Sequence, residues 1–137
     1  MKVIVNTDVW SEAFRKNGSK SAYFDELKSL IQEGRIQMIG VIRMEILSGI
    51  RTAEIFETLR DRLESFPDKL LDSELFETAA KFHNLCRSKG IQGSNNDFII
   101  CACSVLWKMP ILSKDKDFIA YQNILPIELT KPRKQIL

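Results

Sequence analysis

The chain has 137 residues, 45% of them apolar, with a formal net charge of +2. That length suits one domain over residues 1–137 with a real core, and no apolar run approaches the length of a membrane span. So small a charge does not by itself indicate a nucleic-acid partner, although the tail Lys131-Pro132-Arg133-Lys134 and the segment holding Arg51, Arg60 and Arg62 are locally basic and of the kind that contacts phosphate.

Val3-Ile4-Val5 is a continuous β-branched run and predicts a buried strand of a parallel sheet. A turn follows, then a helix beginning near Asp8 or Val9, with Thr7 or Asp8 as its cap. Only three apolar residues stand between Met1-Lys2 and Asn6, too few for a signal-peptide core, so a cytoplasmic location is expected. Residues 16–20 are polar, include Gly18 and read as a loop. Residues 21–33 place Tyr23, Phe24, Leu27, Leu30 and Ile31 at helical spacing, with Gly34 as the stop. Residues 36–39 form a second strand candidate, and 41–48 an apolar helix with Gly49 near its end. Residues 52–65 are amphipathic, with Ile55, Phe56, Leu59 and Leu63 on one stripe, and Pro67 ends them.

A short third strand is expected at 69–71. A long helix runs from Ser73 to Lys89, closed by Gly90. Asn95, Asn96 and Asp97 precede a markedly apolar helix over 98–107, which Pro110 ends. Strands are expected again at 111–112 and 125–129. Strands alternating with helices argue for an α/β fold with a mostly parallel sheet. The first strand is followed by no glycine-rich phosphate loop, which removes the main support for P-loop and Rossmann readings.

Cys86, Cys101 and Cys103 have no CxxC spacing, and Cys101 and Cys103 sit on different sides of a helix. Buried free thiols are expected rather than disulfides or a zinc site. His83 is the single histidine. A triad would have to use it, nothing beside it suggests one, and helix packing is the expected role.

The acids carry more information. In open parallel α/β sheets ligands bind at the carboxyl ends of strands. Asn6 follows the first strand directly and Asp115 follows 111–112 closely, so the two share one rim if those strands are neighbours. Asp97 stands at a helix start, where it is a cap unless Asn95 or Asn96 caps instead. Glu45 lies among Val41, Ile42, Met44, Ile46 and Leu47 and is costly there unless paired or metal-bound; the alternative is a thin polar stripe with Ser48. Asp115 and Asp117, interleaved with Lys114 and Lys116, read by themselves as turn residues. Asp8 reads as a cap that can approach the space beside Asn6. Three or four carboxylates gathered by a fold are what a hard divalent cation requires.

Taken together, Val5-Asn6-Thr7-Asp8-Val9-Trp10, Glu45 with Gly49, Asp97-Phe98-Ile99-Ile100-Cys101-Ala102 and Ser113-Lys114-Asp115-Lys116-Asp117-Phe118 resemble the motifs of the PIN-domain ribonucleases, and among them the VapC-type toxins of bacterial toxin–antitoxin pairs. The resemblance spans nearly the whole chain. It implies a three-layer α/β/α sandwich and an acid cluster of Glu45, Asp97 and Asp115 holding Mg²⁺ or Mn²⁺. It implies endonucleolytic cleavage of RNA, a cognate VapB-type antitoxin that covers the site, and a toxin homodimer. Thr7, Ser113, Asp117 and Asp8 would support the ligands, and Lys114, Lys116, Arg133 and Lys134 would hold RNA phosphate.

The departure is Asn6, where the resemblance calls for the first acid of an Asp-Thr-Ser/Asn opening. An amide oxygen still ligates a hard cation but brings no charge, so weakened metal binding and low activity are expected. One explanation is a deliberate Asp-to-Asn change that lets a toxic nuclease be produced safely. The other is a natural variant that uses Asp8 or has become a binding protein. The three intact acids favour the first. The rival from another class is a non-catalytic PIN-fold module that binds RNA or a protein. A receiver-type domain would need an acid directly after its central strand, and none follows 36–39.

Overall fold

The structure is a computed structural model and describes residues 1–15 and 21–134. The loop expected over 16–20 lies outside the described residues. Strand β1 (Val3–Val5) is fully buried, as its β-branched run requires. It leads into α1 (Thr7–Ala13) and α2 (Ala22–Gln32). Ser21 caps α2 by accepting from the Tyr23 amide, and Gly34, at φ +66°, supplies the left-handed turn into β2 (Ile36–Gln37).

Helices α3 (Gly40–Leu47), α4 (Ala53–Leu63), α5 (Ser73–Ser88) and α6 (Asn95–Trp107) follow, then β3 (Ile111–Leu112), α7 (Lys116–Gln122) and β4 (Leu129–Thr130). The strands form one parallel sheet in the order β2-β1-β3-β4. The sheet is the middle layer of a three-layer α/β/α sandwich. Because β1 is flanked by β2 on one side and β3 on the other, the chain reverses its direction of strand addition at the carboxyl end of β1, which is where such sheets open a crevice.

Helix α6 is buried nearly all round, through Phe98, Ile100, Cys101, Ala102, Cys103 and Ser104, and α5 lies along it. Cys86, Cys101 and Cys103 are free and buried as expected, and burial pushes the Cys103 thiol up to about 12, leaving it inert at neutral pH. His83 packs edge-on against Phe98 at 5.3 Å. Among the described residues no helix is long and apolar enough to cross a membrane.

Four expectations about elements need correction. No strand forms at 69–71: only Asp68 bridges Met38, Leu70 is 93% exposed, and Leu71 packs against the core without pairing to a strand. The strand expected over 36–39 stops at Gln37, because α3 begins at Gly40. The last strand is Leu129–Thr130 rather than 125–129. Leu125 and Ile127 are buried, but they pack into the core without joining the ladder. Ile55, placed on the buried stripe of α4, is 55% exposed, while Leu59 and Leu63 are buried.

Candidate active site

Residue 6 sits at the switch point. Its backbone N–H donates to the Leu112 carbonyl at 3.0 Å, which confirms that β1 and β3 end on one rim. Asn6 occupies the cap position of α1 without making a side-chain capping bond, so the expectation that Thr7 or Asp8 caps this helix does not hold. Those two side chains reach across the fold instead. Asn6 Nδ2 donates to Asp8 Oδ1 at 3.0 Å and to Ser113 Oγ at 3.3 Å. Ser113 Oγ in turn donates to Asp8 Oδ1 at 3.0 Å and accepts from the Asp115 amide at 3.1 Å. Asp8 Oδ2 accepts from the Lys114 amide at 2.9 Å. The start of α1 is thereby tied to the turn that carries Asp115. Asp115 caps α7 by accepting from the Asp117 amide at 2.9 Å.

Glu45 is half-buried on α3, beside the buried Ile42 and Ile46. It is not left bare: Thr7 Oγ1 donates to Oε1 at 2.7 Å and Asn96 Nδ2 to Oε2 at 3.4 Å. Arg43, two residues away on another face, pairs with Asp68 at 3.0 Å. Asp97 is free of capping duty, because Ser94 caps α6 by accepting from the Asp97 amide at 3.1 Å. Its carboxylate instead accepts from the Tyr121 hydroxyl at 2.7 Å.

Burial pushes the Asp97 carboxyl above the usual carboxylate range, the charges of Asp115 and Glu45 push it the same way, and the hydrogen bonds from Tyr121 and Ser94 oppose them. Asp97 on α6 is therefore repelled by Glu45 from α3 and by Asp115 from the β3–α7 turn. Burial, followed by Asp97, raises the Tyr121 phenol far above its ordinary value, so Tyr121 stays a neutral donor. Tyr121 and Asn96 are the contributors that sequence reasoning did not assign to the site. Asn96 was visible only as a cap candidate. Tyr121 lies on α7, whose i, i+3 pair Phe118 and Tyr121 was the signal available for finding it.

The basic residues divide. Lys114 Nζ forms an ion pair with the buried Glu12, and Arg133 pairs with Glu26 at 3.0 Å and Glu33 at 2.9 Å. Both cations are thus engaged with carboxylates of the chain itself, while Lys116 and Lys134 are exposed.

Among the described residues no three acidic, histidine or cysteine side chains stand close enough to enclose a metal unaided. Asp97, Glu45 and Asp115 nevertheless supply hard oxygen donors and unbalanced negative charge. Such a donor set fits a hard divalent cation that keeps most of its own waters and takes one or two carboxylates directly.

The PIN domain family model matches residues 3–124. VapC ribonuclease Mb1587 of Mycobacterium bovis is 32% identical over 130 residues, covering 92% of this chain and 96% of the relative. Ribonuclease VapC11 of Mycobacterium tuberculosis matches with the same identity and coverage, 32% over 92% and 96%. The fold is shared with the crystal structure of VapBC2 from Rickettsia felis bound to a promoter DNA fragment, at TM-score 0.77 and 17% identity over 96% of this chain and 98% of that one. It is also shared with FitAcB from Neisseria gonorrhoeae, at TM-score 0.75 and 18% identity over 95% and 97%. The chain belongs to the PIN-domain family, among its VapC ribonucleases.

Proposed function

We propose that this chain is the toxin of a type II toxin–antitoxin pair, an endoribonuclease that depends on Mg²⁺ or Mn²⁺ and acts in the cytoplasm. In this reading it is a single domain over residues 1–137, a homodimer, and is held in check by a VapB-type antitoxin. What supports the reading is that Asp97 feels the charges of both Glu45 and Asp115, while Asn6 is joined through Ser113 to the turn carrying Asp115 and its neighbour Thr7 holds Glu45. Bound at these residues, a divalent cation would neutralise charge developing on the scissile phosphate and acidify an attacking water.

The chain's own groups prepare that chemistry. Thr7 and Asn96 hold the two oxygens of Glu45, and Tyr121 holds one oxygen of Asp97. The Asp117 amide fixes Asp115 at the mouth of α7. His83 packs against Phe98, so the work of a general base falls to carboxylates or to the ion. Exposed Lys116 and Lys134 are better disposed toward RNA phosphate than Lys114 and Arg133, which pair internally.

Asn6 lowers the charge of this site by one unit relative to an acid there, which weakens cation binding and turnover. Purified protein, RNA and Mg²⁺ test the reading. The Asn6→Asp variant should cleave faster than the parent, and Glu45→Ala or Asp97→Ala should abolish cleavage in either background. Absence of metal-dependent cleavage by Asn6→Asp would overturn it. The rival, a PIN-fold module that binds RNA or a protein without cutting, draws its support from Asn6 itself. It would be favoured by undetectable Mn²⁺ binding in Asn6→Asp together with RNA affinity unchanged by Glu45→Ala.

A further inference from the structure

We infer that Asp8 is a positioning residue whose task is to orient the Asn6 amide, so that Oδ1 rather than Nδ2 is the atom left to accept a cation. The inference rests on the reading that residue 6 serves a metal site. An amide has two nearly isosteric ends of opposite character: the oxygen ligates a hard cation and the NH₂ repels it. A carboxylate at residue 6 would need no such choice, since either oxygen serves. An amide must have the choice made for it by its neighbours.

Proton accounting shows how the choice is made. Asp8 is acceptor-only when ionised, so Oδ1 of Asn6 turned toward Asp8 at 3.0 Å would put two acceptors in contact with no hydrogen between them. Ser113 reinforces the point. Its single O–H is spent on Asp8, and its two lone pairs take the Asp115 amide and Asn6 Nδ2. Both neighbours of Nδ2 are therefore acceptors, and both owe that to the Asp8 carboxylate. Asp8 is itself pinned by the Lys114 amide at 2.9 Å. Among the described residues Asn6 Oδ1 accepts no hydrogen bond, and it is not one of the fully occluded, unpartnered side-chain atoms. The order amide–Thr–carboxylate in Asn6-Thr7-Asp8 thus keeps one charge and one amide in mutual contact, with the amide on the strand end.

The consequence is a conditional dependence: Asp8 matters while residue 6 is Asn and loses that importance when residue 6 is Asp. Four full-length proteins test it, namely the parent, Asp8→Asn, Asn6→Asp and the double variant, titrated with Mn²⁺ alone by calorimetry and melted without metal. Asp8→Asn is expected to lower Mn²⁺ affinity at least about tenfold in the parent, the usual scale for losing a group that orients a ligand, and the loss should shrink to about twofold in the Asn6→Asp background. In the metal-free melts Asn6→Asp should lower Tm, because two carboxylates then meet at the Asn6–Asp8 contact, and adding Asp8→Asn should restore it. Equal losses of Mn²⁺ affinity in both backgrounds would overturn the inference alone, leaving Asp8 as a charge or a tether of the 113–115 turn. An undiminished Tm for Asn6→Asp would overturn it as well. Absence of Mn²⁺ binding in all four proteins would sink both this inference and the nuclease reading.

Discussion

Gly93→Ala should damage the site from outside it. A Cβ built on Gly93 would fall 2.9 Å from Phe98 Cζ and 2.9 Å from Tyr121 Cζ, and would press directly on the Tyr121 hydroxyl. Neither ring can yield easily. Both are essentially unexposed, they pack on each other at a tilt with centroids 5.1 Å apart, and Tyr121 is braced by Phe118 at 5.2 Å. Forcing one methyl group into so closed a contact costs about 1–3 kcal/mol. Moving the Tyr121 hydroxyl off Asp97 forfeits a hydrogen bond to a charged group, worth about 1.5–3 kcal/mol. The two effects share one side chain and do not simply add, so a total of about 3–4 kcal/mol is expected. For a domain of this size that lowers Tm by roughly 10–15 °C. Circular dichroism melts of the parent, Gly93→Ala, Tyr121→Phe and the double variant decide the matter. Removing the hydroxyl makes room for the methyl, so Gly93→Ala should cost distinctly less in the Tyr121→Phe background. A Gly93→Ala protein melting within about 2 °C of the parent, or strict additivity in the cycle, would refute the argument that Gly93 is kept small for the Tyr121–Asp97 contact.

Two further outcomes follow from the electrostatics. Burial, with Asp115 and Glu45 behind it, raises the folded-state pKa of Asp97. The protonated form therefore favours folding: this stabilisation is complete below the ordinary carboxylate range and is lost as pH rises through the raised value. In metal-free protein Asp97→Asn should raise Tm at neutral pH, and the advantage should fade as the parent is acidified below about pH 4; melts that show no gain at pH 7 would contradict it. Lys114→Ala should destabilise, because it strands the Glu12 carboxylate, which is only 8% exposed and whose Oε1 already lacks a partner among the described residues. Partial exposure of Lys114 reduces the full buried-pair penalty to about 1–3 kcal/mol, and an unchanged Tm would return Lys114 to the RNA-contacting set.

The parts of the fold that were legible are those where hydrophobicity and pairing coincide. Val3-Ile4-Val5 and Ile111-Leu112 are apolar, buried and laddered, so reading burial also read the strand. At 125–129 the two properties separate: Leu125 and Ile127 are buried, yet the ladder to β3 uses Leu129 and Thr130. At 69–71 Leu70 is exposed and Leu71 packs against the core, and neither meets a partner strand. Helix α7 was missed for the opposite reason. Its first residues are charged and look like a turn, and only the buried pair Phe118 and Tyr121 betrays the period.

The site divides along the same line. The carboxylates were legible because an acid set in an apolar run or at a strand end is locally anomalous. Their assignments were not, because a side chain's role is fixed by what the fold brings to it. Ser94, Asn95, Asn96 and Asp97 are all good caps by type. The chain enters α6 so that Ser94 takes the duty, and that releases Asp97 to meet Tyr121, 24 residues on. Asn6 and Asp8 show the limit most clearly. Residue type at position 6 alone argues for a neutralised site. Residues 6, 8 and 113 together describe an amide whose direction is dictated by an adjacent carboxylate. The charge missing at the strand end is present two residues later, so what Asn6 costs the site depends on how firmly Asp8 holds it.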